Sequence, residues 1–151
     1  MEESRDKARI LIAEDEYILA KGTQTQLLSM GYEVTGHASS GEQAVALARR
    51  DRPDLVLMDI VMPGEYDGIE AAKRIRKELD IPVIFLTAYS DDETIQRAKH
   101  TTPDGYLLKP FSERELYIAI EMALQRGKME KEPRKGWKKT SIADEFDPNL
   151  L

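Results

Sequence analysis

Three short runs constrain this chain more than anything else in it: Ile10-Leu-Ile-Ala13, Leu55-Val-Leu-Met58 and Val83-Ile-Phe-Leu86. They are too short for globular helices, and they lack the polar alternation of a half-exposed strand. Strands buried on both faces have this pattern, as in a parallel sheet covered by helices. Two weaker candidates, Glu33-Val-Thr-Gly-His37 and Tyr106-Leu-Leu108, bring the set to five. Between the runs, apolar residues recur at helical spacing, as in Ile69, Ala72, Ile75 and Leu79, and again in Leu116, Ile120, Ala123 and Leu124. Ser40-Gly-Glu-Gln43, Ser90-Asp-Asp-Glu93 and Ser112-Glu-Arg-Glu115 each fit a capping box, while Gly31 and Pro82 close the first and third helices. Strands and helices alternate up to about residue 126, which predicts βαβ crossovers and a parallel sheet with helices on both faces.

Composition narrows the chemistry. The 151 residues contain no cysteine and two histidines, His37 and His100. Disulfides, thiolate metal sites and cysteine nucleophiles are excluded, and a histidine metal cage has too few ligands. Both histidines read as ordinary surface or edge residues. With 28 acidic against 22 basic residues the formal charge is −6, which disfavours direct binding to nucleic acid. No apolar run approaches a membrane span, and the charged start Met1-Glu-Glu-Ser-Arg-Asp-Lys7 lacks the apolar stretch of a secretory signal. The expectation is a cytoplasmic protein with no membrane insertion.

In a parallel open sheet, ligands gather at the carboxyl ends of the strands, near the point where strand order reverses. Here those ends carry Glu14-Asp15-Glu16 after the first strand, Asp59 after the third, Thr87 after the fourth and Lys109, followed by Pro110, after the fifth. Carboxylates brought together repel unless a cation or protons neutralise them. A hard divalent ion such as Mg²⁺ suits this oxygen-rich setting, and Thr87 and Lys109 then suit a phosphoryl group beside it. Asp59, at the end of an apolar strand, is the candidate nucleophile for an acyl phosphate. Each feature alone has a plainer explanation: an acidic first helical turn, a turn threonine, a packing tyrosine. Their joint placement at strand ends favours the chemical reading.

These residues bring the sequence to a family. The motifs Ile10-Leu-Ile-Ala-Glu-Asp-Glu16, Asp54-Leu-Val-Leu-Met-Asp-Ile-Val-Met-Pro63, Asp67-Gly68, Leu86-Thr-Ala88 and Tyr106-Leu-Leu-Lys-Pro-Phe111 resemble the response-regulator receiver domain of two-component signalling, over about residues 8–126. The resemblance implies a flavodoxin-like, doubly wound (βα)5 fold, its parallel sheet in the order 2-1-3-4-5. It also implies a regulator that accepts a phosphoryl group instead of a conventional enzyme. Asp59 would be phosphorylated by a sensor histidine kinase. Asp15 and Asp59 would bind Mg²⁺ directly, Glu14 through water and Val61 through its backbone carbonyl. Thr87 and Lys109 would contact the phosphoryl oxygens, Lys109–Pro110 would be cis, and Tyr106 would be the switch aromatic. An unidentified downstream protein would read the face made by the fourth helix, fifth strand and fifth helix, where a homodimer is also open. The fourth helix, Asp91 to His100, has few apolar anchors, chiefly Ile95 and Ala98, which suits a movable element.

Three departures stand out. Pro63-Gly-Glu-Tyr-Asp67 is one residue longer than the family's usual spacing, which predicts an altered loop beside the metal. Tyr89 and Val61 flank the site, and the bulk of Tyr89 predicts slow self-dephosphorylation. Thr101-Thr-Pro-Asp-Gly105 replaces smaller residues and predicts a stiffer turn before the fifth strand.

Other phosphate chemistries fit poorly. No Gly-x-x-x-x-Gly-Lys-Ser/Thr loop is present, Val61 stands where a dehalogenase-type phosphatase needs a second acid, and Glu14-Asp15-Glu16 is unlike a flavin loop. The remaining alternative is a receiver-like module that binds its partner whatever its phosphorylation state. Residues 127–151 change character, with Gly127, Pro133 and Gly136 breaking helical periodicity. They read as a solvated tail without a stable fold. A sharper alternative makes them a docking segment using Trp137, Phe146 and Leu150-Leu151. Too short for an output domain, they leave open a stand-alone relay or the receiver part of a longer protein.

Overall fold

The computed structural model describes residues 7–88, 92–100 and 103–131, the side chains of 128–131 excepted. Five strands, β1 (Arg9–Ala13), β2 (Glu33–Ala38), β3 (Leu55–Asp59), β4 (Val83–Thr87) and β5 (Gly105–Leu108), alternate with α1 (Tyr17–Ser29), α2 (Gly41–Asp51), α3 (Gly68–Leu79), α4 (Asp92–His100) and α5 (Glu113–Lys131). All strand pairings are parallel, and the sheet order is β2-β1-β3-β4-β5. This is the flavodoxin-like (βα)5 arrangement that the resemblance implied.

The apolar runs are buried because each feeds two cores. Ile10, Ile12, Leu55, Leu57, Ile84 and Leu86 face α1 and α5, packing on Leu27, Leu116, Ile120 and Ala123. The alternate residues Leu11, Ala13, Val56, Met58, Val83 and Phe85 face α2 and α3, against Ala44, Val45, Ala48, Ile69, Ala72 and Ile75. A strand clad on both faces has no position left for a polar side chain until it leaves the sheet. The first polar residues therefore stand together at its carboxyl edge.

Helix termini follow local chemistry. Ser40 Oγ accepts the Gln43 amide at 3.1 Å, and the Gln43 side chain reaches back to the Ser39 amide, one residue before the expected partner. Ser112 and Glu115 form the full reciprocal box. Ser90 and Asp91 of the third such motif lie outside the described residues, as do Tyr89, Thr101, Thr102 and residues 132–151, so the expectations resting on them stay as expectations.

Gly127 does not break the last helix, since α5 runs on to Lys131. One mid-helix glycine costs only about 1 kcal/mol, and its neighbours Gln125, Arg126, Lys128 and Met129 are good helix formers. The helical pattern thus continues five residues past the point where the sequence reading ended it.

The longer loop before α3 is pinned at several points. Gly64 has φ +111, and the Glu42 carboxylate accepts the Glu65 amide at 3.2 Å. The Arg74 guanidinium lies 4.2 Å from the centre of the Tyr66 ring. Asp67 caps α3 through the Glu70 amide and pairs with Arg97 of α4 at 3.0 Å. Gly68 follows because nothing larger fits: a Cβ there would lie 1.9 Å from the Asp59 carbonyl oxygen. The turn before β5 is tied down by Asp104, whose carboxylate accepts the Val83 amide and pairs with Arg76.

Candidate functional site

Strand register assembles the site. Ala13 pairs with Met58, Asp59 with Leu86 and Thr87 with Leu108, so the residues leaving β1, β3, β4 and β5 come to one level. Among the described residues, Glu14, Asp59 and Thr87 are the buried polar residues at this edge, at 3%, 8% and 5% exposure, whereas Asp15 is exposed. Together with Lys109 they line a cleft of about 500 Å³ bordered by Val61, Ala88 and Thr94. Val61, at the rim of this cleft, is 77% exposed.

Lys109 reaches back into the acidic cluster. Its Nζ lies 2.8 Å from Glu14 Oε1 and 3.4 Å from Asp59 Oδ2. The Lys109 amide donates to the Thr87 carbonyl at 2.8 Å, and the Lys109–Pro110 peptide is cis. One carboxylate oxygen from each of Glu14, Asp15 and Asp59 lies within 4.8 Å of the others. This all-oxygen donor set fits a hard divalent cation that keeps part of its water shell.

The electrostatics reveal a deficit of positive charge. Burial alone would raise the Glu14 pKa, but hydrogen bonds from Lys109 and the Glu16 amide outweigh it and leave the carboxyl below its usual range. For Asp59 burial dominates; Lys109 pulls downward, Glu14 pushes upward, and the pKa stands at about 7. Burial also works against charge on Lys109, yet the two carboxylates hold its pKa above the ordinary lysine value. One ammonium thus serves two buried carboxylates: Glu14 remains ionised, and Asp59 holds its proton to near neutrality. A cation placed here would remove that penalty.

Tyr106 stands on β5, 36% exposed, its ring centre 6.3 Å from that of buried Phe85. On α4 only Ala98 is buried, and Ile95 is half-buried. The candidate residues thus converge, with Tyr106 standing on the same strand as the approach to Lys109. Sequence reasoning missed what supports them. His37, read as an edge residue, does lie on edge strand β2, but it is half-buried and bonds to the Glu14 carbonyl. Asp104 gives no local signal that it will meet Arg76, which lies 28 residues away.

The comparisons agree with this arrangement. The family model described as "Response regulator receiver domain" matches residues 10–121. The transcriptional regulatory protein PdtaR of Mycobacterium tuberculosis is 43% identical over 118 residues, covering 78% of this chain and 57% of that protein. The probable transcriptional regulator ycf27 of Porphyridium aerugineum is 38% identical over 120 residues, covering 80% of this chain and 49% of the relative. This chain therefore matches about half the length of such curated relatives. Among solved structures, the signal receiver domain of a modulated diguanylate cyclase from Desulfovibrio desulfuricans G20 superposes with a TM-score of 0.80 at 43% identity, covering 83% of this chain and all of that one. A CheY-like receiver domain protein from Methanospirillum hungatei JF-1 gives 0.76 at 27% identity, covering 83% of this chain and 99% of its own. The chain belongs to the response-regulator receiver family. It carries a receiver domain of two-component signalling, from a family of regulators whose acidic pocket binds Mg²⁺. Among the described residues no helix is long and apolar enough to cross a membrane.

Proposed function

We propose that residues 8–126 form a phosphorylation-activated switch in which Asp59 accepts a phosphoryl group from a phosphohistidine of a sensor histidine kinase. The observation that carries this is the Lys109 ammonium held between Glu14 and Asp59 in the lining of the cleft. Asp15, Asp59 and the Val61 carbonyl would hold Mg²⁺, with Glu14 acting through water. When bound, the ion supplies positive charge to the transferring group and to its carboxylate acceptor.

The chain's own residues do the rest. A carboxylate oxygen of Asp59 forms the new O–P bond in line as the P–N bond of the phosphohistidine breaks, and the imidazole nitrogen departs with that electron pair. Lys109 exchanges a carboxylate partner for a phosphoryl oxygen. The Thr87 hydroxyl donates to a second oxygen. As Thr87 moves, Tyr106 turns inward beside Phe85, and the face made by α4, β5 and α5 shifts toward the form that a downstream protein binds. That face also offers a homodimer contact. The switch works in the cytoplasm without direct nucleic-acid binding. The half-length match to proteins named as transcriptional regulators supports a second reading, the receiver portion of a longer regulator.

Incubation with acetyl phosphate and Mg²⁺ is expected to add one phosphoryl mass, absent in Asp59→Asn or with chelator. An unchanged mass in the wild type would leave the phosphorylation-independent binding module as the better reading.

A further inference from the structure

The turn that presents the acidic pair is held by three successive peptide units. The Glu14 amide donates to the Ala38 carbonyl at 2.9 Å, fixing the unit between residues 13 and 14. The Glu16 amide donates to Glu14 Oε2 at 3.1 Å, fixing the unit between 15 and 16. The unit between them, whose carbonyl is that of Glu14, is gripped by His37: Nε2 lies 2.6 Å from that oxygen. A carbonyl can only accept, so Nε2 carries the proton and donates.

His37 is well placed for this grip. It sits on edge strand β2, pairs in register with Ile12 of β1, and is half-buried. The Tyr17 ring, the first residue of α1, packs at 6.2 Å between centroids and bounds the imidazole from the helix side. The two peptide units flanking Asp15 are therefore set by His37 on one side and the Glu14 carboxylate on the other. Asp15 itself is exposed, and among the described residues no hydrogen bond or ion pair holds its carboxylate. Its direction is inherited from its backbone.

We infer that His37 is a positioning residue for the metal site: by holding the Glu14–Asp15 peptide plane it aims the Asp15 carboxylate toward Asp59. This rests on the Mg²⁺ reading above. In this role the imidazole acts only through the peptide it holds. Groups that orient metal ligands in this way typically change affinity by about 10–100-fold when removed.

The test compares His37→Gln, whose amide nitrogen reaches about as far as Nε2 and can donate, with His37→Met, which keeps similar bulk without a donor. Mg²⁺ affinity is measured calorimetrically, and the unfolding midpoint and the exchange rates of the Glu14 and Glu16 amides, both hydrogen-bonded in this turn, are measured in chelator. His37→Met is expected to bind Mg²⁺ about 10-fold more weakly, with faster exchange at Glu14 and Glu16 and a midpoint close to that of His37→Gln. His37→Gln is expected to stay near the wild type in affinity and exchange. Equal affinity and exchange in the two variants, or the failure of both to fold, would overturn the inference and reduce His37 to a packing residue. A wild type that takes up no Mg²⁺ overturns the metal reading instead, and the exchange rates alone then decide the role of His37.

Discussion

Asp59 is a carboxyl group buried with too little positive charge beside it. It is buried to 8% exposure beside another carboxylate, and burial with that neighbour raises its pKa from 3.8 to about 7. The native state therefore holds a proton that the unfolded chain has released, so this group costs stability as pH rises from about 4 to about 7. In chelator, Asp59→Asn should stabilise the domain by an amount that grows over that window and levels above it. The gain should be on the order of 2–4 kcal/mol at pH 8, read from urea unfolding at pH 5 and pH 8. A gain that is flat with pH would contradict it. Lys109 is the converse case. Lys109→Ala leaves Glu14 and Asp59 without their ammonium and should cost about 2–4 kcal/mol in chelator, with much of the loss restored by Mg²⁺. Neither effect can be read from the residue's own neighbours in sequence, because the pair to Glu14 spans 95 positions.

Elements differ in how firmly they are held, and the difference follows their buried residues. On α3, Gly68, Ile69, Ala71, Ala72 and Ile75 are all buried, whereas α4 buries Ala98 alone. Exchange measured by mass spectrometry should show α4 amides losing protection at least tenfold faster than those of α3, on the order of a 1.4 kcal/mol gap in local stability. The ion pair from Arg97 to Asp67 adds little, being half-exposed on the arginine side. The turn before β5 behaves oppositely. Asp104→Ala removes the acceptor of the Val83 amide and the partner of Arg76 at once, and should destabilise by about 2–3 kcal/mol while leaving acetyl-phosphate labelling of the folded protein intact. Helical periodicity placed these helices well. It could not say how tightly each is anchored, because anchoring depends on which faces meet across the sheet.

For the whole molecule, the same carboxylate cluster that weakens the metal-free fold makes stability a reporter of ligand. An ion that binds the native state alone stabilises by mass action, about 2.7 kcal/mol at a hundredfold excess over its dissociation constant. For a domain of this size the unfolding midpoint should rise by about 5–10 °C in saturating Mg²⁺, and Asp59→Asn should remove most of the rise. Of the chain's 28 acidic residues, three have carboxylates that meet at one sheet edge. Much of this was legible beforehand. Uninterrupted apolar runs read as interior strands, and the first polar residue after each surfaces at the same edge, so Glu14, Asp59 and Thr87 were legible, while Lys109 follows the weaker run that forms edge strand β5. The motif resemblance supplied the strand order, and the structure agrees with it. What stayed hidden was everything that depends on long-range contact: the Lys109 bridge to Glu14, the Asp104 tie to Arg76, the His37 grip on the Glu14 carbonyl, and the closeness that forbids a side chain at Gly68. The amino-acid sequence by itself determined the periodicity of burial and the kind of chemistry at the strand ends. Only the tertiary structure decided which charges are shared and which backbone is pinned, because strand register and sheet order bring together groups that the chain keeps far apart.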